Sequence, residues 1–136
     1  MFRLSIVTPE QVFYEGEVSS MIIPGSEGYL GVLTDHAPLI TAVIPGKLTI
    51  KDESMQEIIL SVTYGFFEIS SNTASLLVDA VEYAGRIDLE RARRALERAQ
   101  QRLTEGPSGM VDSARARRAL ERAKSRIRIV QEEDTE

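Results

Sequence analysis

The stretch Asp88–Leu103, "DLERARRALERAQQRL", contains no glycine, no proline and no β-branched residue. It is built almost wholly from strong helix formers. Leu89, Ala92, Leu96, Ala99 and Leu103 recur at three- and four-residue steps and make one apolar stripe. A second helix of the same kind is expected from about Asp112 to Val130, with Ala116, Ala119, Leu120, Ala123, Ile127 and Val130 as its stripe. The octapeptide "ARRALERA" occurs at 92–99 and again at 116–123. One duplication is too few units for a solenoid. "EGPSG" at 105–109 separates the two helices, and so short a break favours an antiparallel hairpin. Alanine-rich stripes let helices approach near the lower end of the usual ~8–10 Å spacing. They bury little large apolar side chain, so the hairpin is expected to be the less stable part and able to open.

Upstream the texture is that of strands. "FRLSIVT" puts Phe2, Leu4 and Ile6 on one face, and "KLTIK" does the same with Leu48 and Ile50. "EVSSMIIP", "QEIILSV", "YGFFEIS" and "TASLLVD" are β-branched or aromatic runs bounded by Gly, Pro, Asn or Ser. Many short strands between such signals indicate an antiparallel sandwich or barrel. Gly25, Gly28 and Gly31 are read as turn and bulge positions. The expected organisation is α+β, with a strand domain over 1–84 and a helical hairpin over 85–136.

The net charge of −5 hides a division. Residues 1–84 carry three bases against eleven acids, residues 85–130 thirteen bases against six acids, and the tail "QEEDTE" four acids. Such asymmetry implies different partners for the two parts. There is no cysteine, which excludes disulfides, thiolate metal sites and a cysteine nucleophile. No apolar run approaches the ~20 residues of a membrane span. The N-terminal "MFRLSIVTPE" has the pattern of neither a signal nor a transit peptide. A soluble, cytoplasmic protein is expected.

Catalysis finds little support. His36 is the single histidine, and no G-x-S-x-G or phosphate-loop motif is present. Asp35-His36 could serve a small β-barrel enzyme, but without an identifiable nucleophile a turn or packing role is the better reading. One histidine and scattered acids make no metal site.

The helices are rich in arginine, with Lys124 the one lysine in 85–130. That favours planar, bidentate recognition of carboxylate or phosphate. A two-domain adaptor binding nucleic acid or an acidic protein is therefore the alternative. No aromatic residue interleaves the arginines, so base stacking has no platform and nucleic acid is disfavoured. Pairs such as Arg93–Glu97 at i,i+4 would make part of the surface self-neutralising. Asp88 and Asp112 are good N-caps, which explains both aspartates on local grounds.

Taken together, "IVTPEQVFYEGEV", "PGSEGYLGVLTDHAPLIT", "PGKLTI", "YGFFEIS" and the Ala- and Arg-rich hairpin resemble the epsilon subunit family of bacterial F-type ATP synthases. The resemblance runs over essentially the whole chain. It implies an N-terminal antiparallel β-sandwich of about ten strands and a C-terminal two-helix domain. It implies a non-catalytic rotor subunit with no required cofactor, docked on the gamma subunit and the c-ring and helping couple proton translocation to ATP synthesis. Such a subunit lies on the cytoplasmic face of the membrane, peripheral and held there only through the complex. Glu27, Tyr29 and His36 are the implied docking candidates. The family's helical domain switches, inhibiting ATP hydrolysis when it extends among the alpha and beta subunits. Arg115, Arg118, Arg122 and Arg126 are available for the inhibitory contact to beta. Some members bind ATP as a regulatory ligand through an [IL]-D-x-x-R-A motif, matched here by Ile87, Asp88, Arg91 and Ala92. Glu82 stands five residues before Ile87, and Arg122 and Arg126 one helical turn apart, as such a site implies.

Overall fold

A computed structural model describes residues 1–104 and 110–134, the side chains of 110–112 and 133–134 excepted. The break "EGPSG" lies outside the described residues. The chain divides into two compact units, Met1–Tyr83 and Ala84–Glu136.

The first unit holds nine strands: β1 (Phe2–Val7), β2 (Val12–Gly25), β3 (Gly28–Leu33), β4 (Leu39–Val43), β5 (Gly46–Asp52), β6 (Glu57–Val62), β7 (Gly65–Ser70), β8 (Thr73–Val78) and β9 (Val81–Tyr83). β2 explains the architecture. It is 14 residues long, and its register shifts between Val18 and Ser20. Such an irregularity bends a strand. The first half of β2 pairs with β1, which continues through β8 and β7 to β4. The second half pairs with β3 on one side and with β5, β6 and β9 on the other. A single bridge between Gly25 and Val43 joins β2 to β4 at the opposite corner. The result is a sandwich whose two layers share one strand. The pairings are antiparallel except β1 with β8, which run parallel. That pair is joined through most of the domain, as the long connection between parallel neighbours requires.

Alternation supplies the core. Phe2, Leu4 and Ile6 of β1, Leu48 and Ile50 of β5, Phe67 and Ile69 of β7, and Ala74, Leu76 and Val78 of β8 all point inward into one cluster. β3, β4, β9 and the start of β2 go beyond the strands legible in the sequence. β3 was hidden by its glycines. Gly25 and Gly28 flank a two-residue turn, and Gly28 has φ +126°, a conformation natural to glycine. Gly31 is no bulge. It sits inside β3 opposite Ile22.

Close packing has one sharp consequence at Gly65. A Cβ there would collide with the Leu77 carbonyl oxygen and lie 2.7 Å from Val78 Cα. Both obstacles are backbone and cannot rotate away. Gly65→Ala is expected to destabilise the sandwich by at least about 2 kcal/mol. Urea unfolding of the full chain followed by tyrosine fluorescence checks it, and an unchanged midpoint would refute it.

The second unit begins with one 3-10 turn, Ala84–Arg86, followed by α1 (Leu89–Thr104) and α2 (Met110–Asp134). The two helices pack on one another. The alanines of the expected stripes, Ala92, Ala99, Ala116 and Ala123, are buried, but near the end of α2 it is Ile129 that is buried, while Ile127 and Val130 of the expected stripe are only half-buried. α2 starts earlier than expected, so Asp112 lies inside the first turn and not at the cap. α2 also runs on into the acidic tail, because Gln131 and the glutamates after it are good helix formers. Among the described residues no helix is long and apolar enough to cross a membrane.

Candidate functional site

The docking candidates fall at the two ends of β3. Glu27 is exposed at the tip of the β2–β3 turn. Tyr29 is 61% exposed, and its hydroxyl accepts a hydrogen bond from the Lys47 N–H at 3.2 Å. That bond ties the turn to the start of β5. His36 follows the other end of the strand. An extended strand rises about 3.3 Å per residue, so Gly28 and Leu33 stand roughly 16 Å apart. The fold therefore does not gather Glu27, Tyr29 and His36 into one patch. Their closeness in sequence is lost because a strand, not a loop, lies between them.

Asp35 and His36 do not form a pair. The Asp35 N–H donates to Asn72 Oδ1 at 2.7 Å, and Asn72 Nδ2 donates to Asp35 Oδ1 at 2.8 Å. His36 Nδ1 lies 2.7 Å from the Ala37 carbonyl oxygen. A carbonyl only accepts, so this contact selects the tautomer with a proton on Nδ1. Asp35 thus secures a turn, and its carboxylate is engaged by Asn72 and not by the neighbouring imidazole.

A feature not found from the sequence lies on the outer face of the β4-β7-β8-β1 layer. Ala42 is opposite Phe66, Phe66 opposite Leu77, and Leu77 opposite Val7. Directly opposed residues share a face, so these four make one apolar row across four strands. Phe66 is 62% and Leu77 52% exposed. The exposed Val12 continues the row opposite Val7. The next row on this face runs through Glu68, Ser75, Ser5 and Glu15 and is polar except at its β4 end, where Ile40, 71% exposed, stands opposite Glu68. Beside the apolar row lies a groove of about 460 Å³ walled by Val7, Pro9, Tyr64, Phe66 and Leu77. The signal was present in "YGFFEIS" and "TASLLVD". Adjacent residues on a strand face opposite ways, so one residue of Phe66-Phe67 and one of Leu76-Leu77 must point outward.

In the helical unit, Asp88 acts as the N-cap. Its Oδ1 accepts from the Arg91 N–H at 3.1 Å, and its carbonyl oxygen accepts from the Ala92 N–H at 3.0 Å. The Ile87–Ala92 motif therefore opens α1, with Ile87 half-buried, Ala92 buried and Arg91 exposed. Arg93 pairs with Glu90 at 3.2 Å, one turn back, and not with Glu97. On α2, Arg115 and Arg118 are exposed, while Arg122 and Arg126 are half-buried. Glu82 lies on β9, in the first unit.

Ser125 lies between Arg122 and Arg126 on α2. It is 4% exposed, and its hydroxyl has no hydrogen-bond partner among the described residues. A buried orphan hydroxyl is costly, and serine is a poorer helix former than alanine. Ser125→Ala is expected to stabilise the helical unit by about 1 kcal/mol. Thermal melting followed by helical circular dichroism tests this, and a lower midpoint would count against it.

Comparison with known proteins agrees with both units. Residues 1–84 match the family model for the β-sandwich domain of the ATP synthase delta/epsilon chain. Residues 86–131 match the model for its long α-helix domain. The ATP synthase epsilon chain of Moorella thermoacetica is 45% identical over 108 residues, covering 79% of this chain and 81% of that one. The ATP synthase epsilon chain of Protochlamydia amoebophila is 43% identical over 103 residues, covering 76% and 70%. A chain of the Euglena gracilis mitochondrial ATP synthase has the same fold with a TM-score of 0.78 at 19% identity, covering 98% of this chain and 80% of that one. A sandwich and a helical hairpin, each matched in order and together spanning nearly every residue, place the protein: the chain belongs to the ATP synthase delta/epsilon chain family.

Proposed function

We propose that this chain is a non-catalytic epsilon-type subunit of a rotary ATP synthase, held in the central stalk against the gamma subunit and the c-ring. The observation that carries this reading is the exposed apolar row Ala42–Phe66–Leu77–Val7 beside its groove. A family member that leaves such a row exposed, with Ile40 beside it, needs a partner to cover it. The Tetrahymena thermophila structure of the same fold, with a TM-score of 0.59 at 16% identity over 96% of this chain and 93% of that one, is of a central stalk and c-ring. The subunit would sit at the cytoplasmic face of the membrane through the complex alone. In this reading gamma covers the apolar row. The Glu27–Tyr29 tip and the His36 loop, at opposite ends of β3, reach different surfaces. The test is co-purification: the tagged full chain should bring down gamma and the c-ring from detergent-solubilised membranes. Recovery of neither would refute the reading.

The helical hairpin acts as an ATP-sensing brake on hydrolysis. Arg91 at the start of α1 and Arg122 and Arg126 on α2 supply cations for the phosphates, with Ile87, Ala92 and Asp88 around the nucleoside. The nucleotide is bound, not hydrolysed. ATP that binds only the folded hairpin stabilises it by RT ln(1 + [ATP]/Kd), about 2.7 kcal/mol at a hundredfold excess over Kd. Low ATP then frees α2, and Arg115, Arg118, Arg122 and Arg126 can meet acids of the beta subunit. Calorimetric titration of the full chain should show heat with ATP that is lost on Arg91→Ala and on Arg126→Ala. No heat at millimolar ATP would remove ATP sensing and leave the stalk assignment standing.

A further inference from the structure

The loop that carries His36 is held by a residue 37 positions away in the chain. Asn72 sits in the turn between β7 and β8. Its carboxamide oxygen accepts from the Asp35 N–H at 2.7 Å, and its amide nitrogen donates to the Asp35 carboxylate at 2.8 Å. Its backbone carbonyl accepts from the Arg3 N–H at 2.9 Å, at the start of β1. Asp35 and Asn72 have φ of 65° and 58°, and Ser71 has 50°. Ser71 and Asn72 are the two central residues of a hairpin turn that uses positive φ at both, and Asp and Asn enter the left-handed region more readily than most residues. On the other side of Asp35, the His36 N–H donates to the Leu33 carbonyl at 3.2 Å and the imidazole engages Ala37. A fixed Asp35 therefore fixes the entry of the chain into His36.

The chemistry at position 72 is specific. One side chain must accept from a backbone N–H and also donate to a carboxylate. A carboxamide does both, an aspartate would oppose one carboxylate with another, and a serine carries a single hydroxyl directly on Cβ, too short to replace the separate acceptor and donor. We propose that Asn72 is the positioning residue of the His36 loop, orienting the imidazole for its partner in the stalk. This rests on the reading of His36 as a docking residue.

The test measures binding of the full chain to ATP synthase stripped of this subunit, with thermal melting alongside. His36→Ala is expected to weaken binding about tenfold or more, as the loss of a buried interfacial hydrogen bond does. Asn72→Gly keeps the turn's positive φ available but deletes the carboxamide, and it should also weaken binding about tenfold. Asn72→Asp should do the same, and adding Asp35→Asn to it restores one donor and one acceptor and should recover binding to within about threefold. In the His36→Ala background, Asn72→Gly should have no further effect, because a positioning residue acts only through the group it positions.

Parent-like binding by His36→Ala would overturn the docking reading and the proposal with it. Weak binding by His36→Ala with parent-like binding by Asn72→Gly would overturn the role of Asn72 alone. An Asn72→Gly effect that persists without His36 would show a merely structural turn and would also overturn it.

Discussion

Phe67→Ala is expected to cost the sandwich about 3–5 kcal/mol, while Phe66→Ala next to it costs under about 0.5 kcal/mol. The two side chains are chemically identical and adjacent. Phe67 is 0% exposed inside the core cluster, and Phe66 is 62% exposed on the outer face. Removing the Phe67 ring loses its transfer free energy and leaves a cavity between two sheets that cannot close. For a unit of this size each kcal/mol lowers the thermal midpoint by about 4–8 °C. Phe67→Ala should therefore melt at least about 12 °C early, with Phe66→Ala close to the parent. Equal shifts for the two variants would mean that the assignment of faces is wrong.

Phe66→Glu combined with Leu77→Thr is expected to abolish assembly while leaving the fold intact, because only one charge is introduced into the cross-strand pair. Both side chains are more than half exposed in the isolated chain, so replacing them disturbs no core contact. In the complex they would be the centre of a buried apolar contact. Central aromatic and aliphatic anchors of that kind are worth about 2 kcal/mol or more each. A carboxylate placed there must also be desolvated without a partner. The combined loss should exceed about a hundredfold in affinity. The readout is reconstitution into stripped ATP synthase, with the thermal midpoint as the control. An unchanged midpoint with lost binding supports the row as the docking surface. Full binding would move docking to another face.

These two experiments separate what a strand pattern reveals from what it conceals. "FRLSIVT" and "KLTIK" could be read as half-buried strands because side chains alternate at every residue, and Phe2, Leu4, Ile6, Leu48 and Ile50 are indeed core. The alanine stripes of the hairpin were legible for the same reason, since a helix repeats its face every three to four residues. β3 was not legible. Gly28 and Gly31 read as turn and bulge positions; Gly28 does end a two-residue turn, but Gly31 pairs regularly with Ile22 inside the strand. Glycine has no side chain to reveal which face it belongs to.

The candidate site divides along the same line. The Ile87–Ala92 motif and its Asp88 cap were readable because a cap is satisfied within four residues. The outward row and the Asn72 hold on Asp35 were not. Each joins residues from distant segments, and only strand register decides which of them meet. Register also separated Glu27 and Tyr29 from His36, because β3 runs between them as an extended strand. The sequence by itself determined the inward faces, the helices and the family, since these follow from local periodicity and motif. Tertiary structure alone decided which apolar residues remained outside and which turns faced each other. Those outcomes depend on hydrogen-bond pairing between strands far apart in the chain, which no local period encodes.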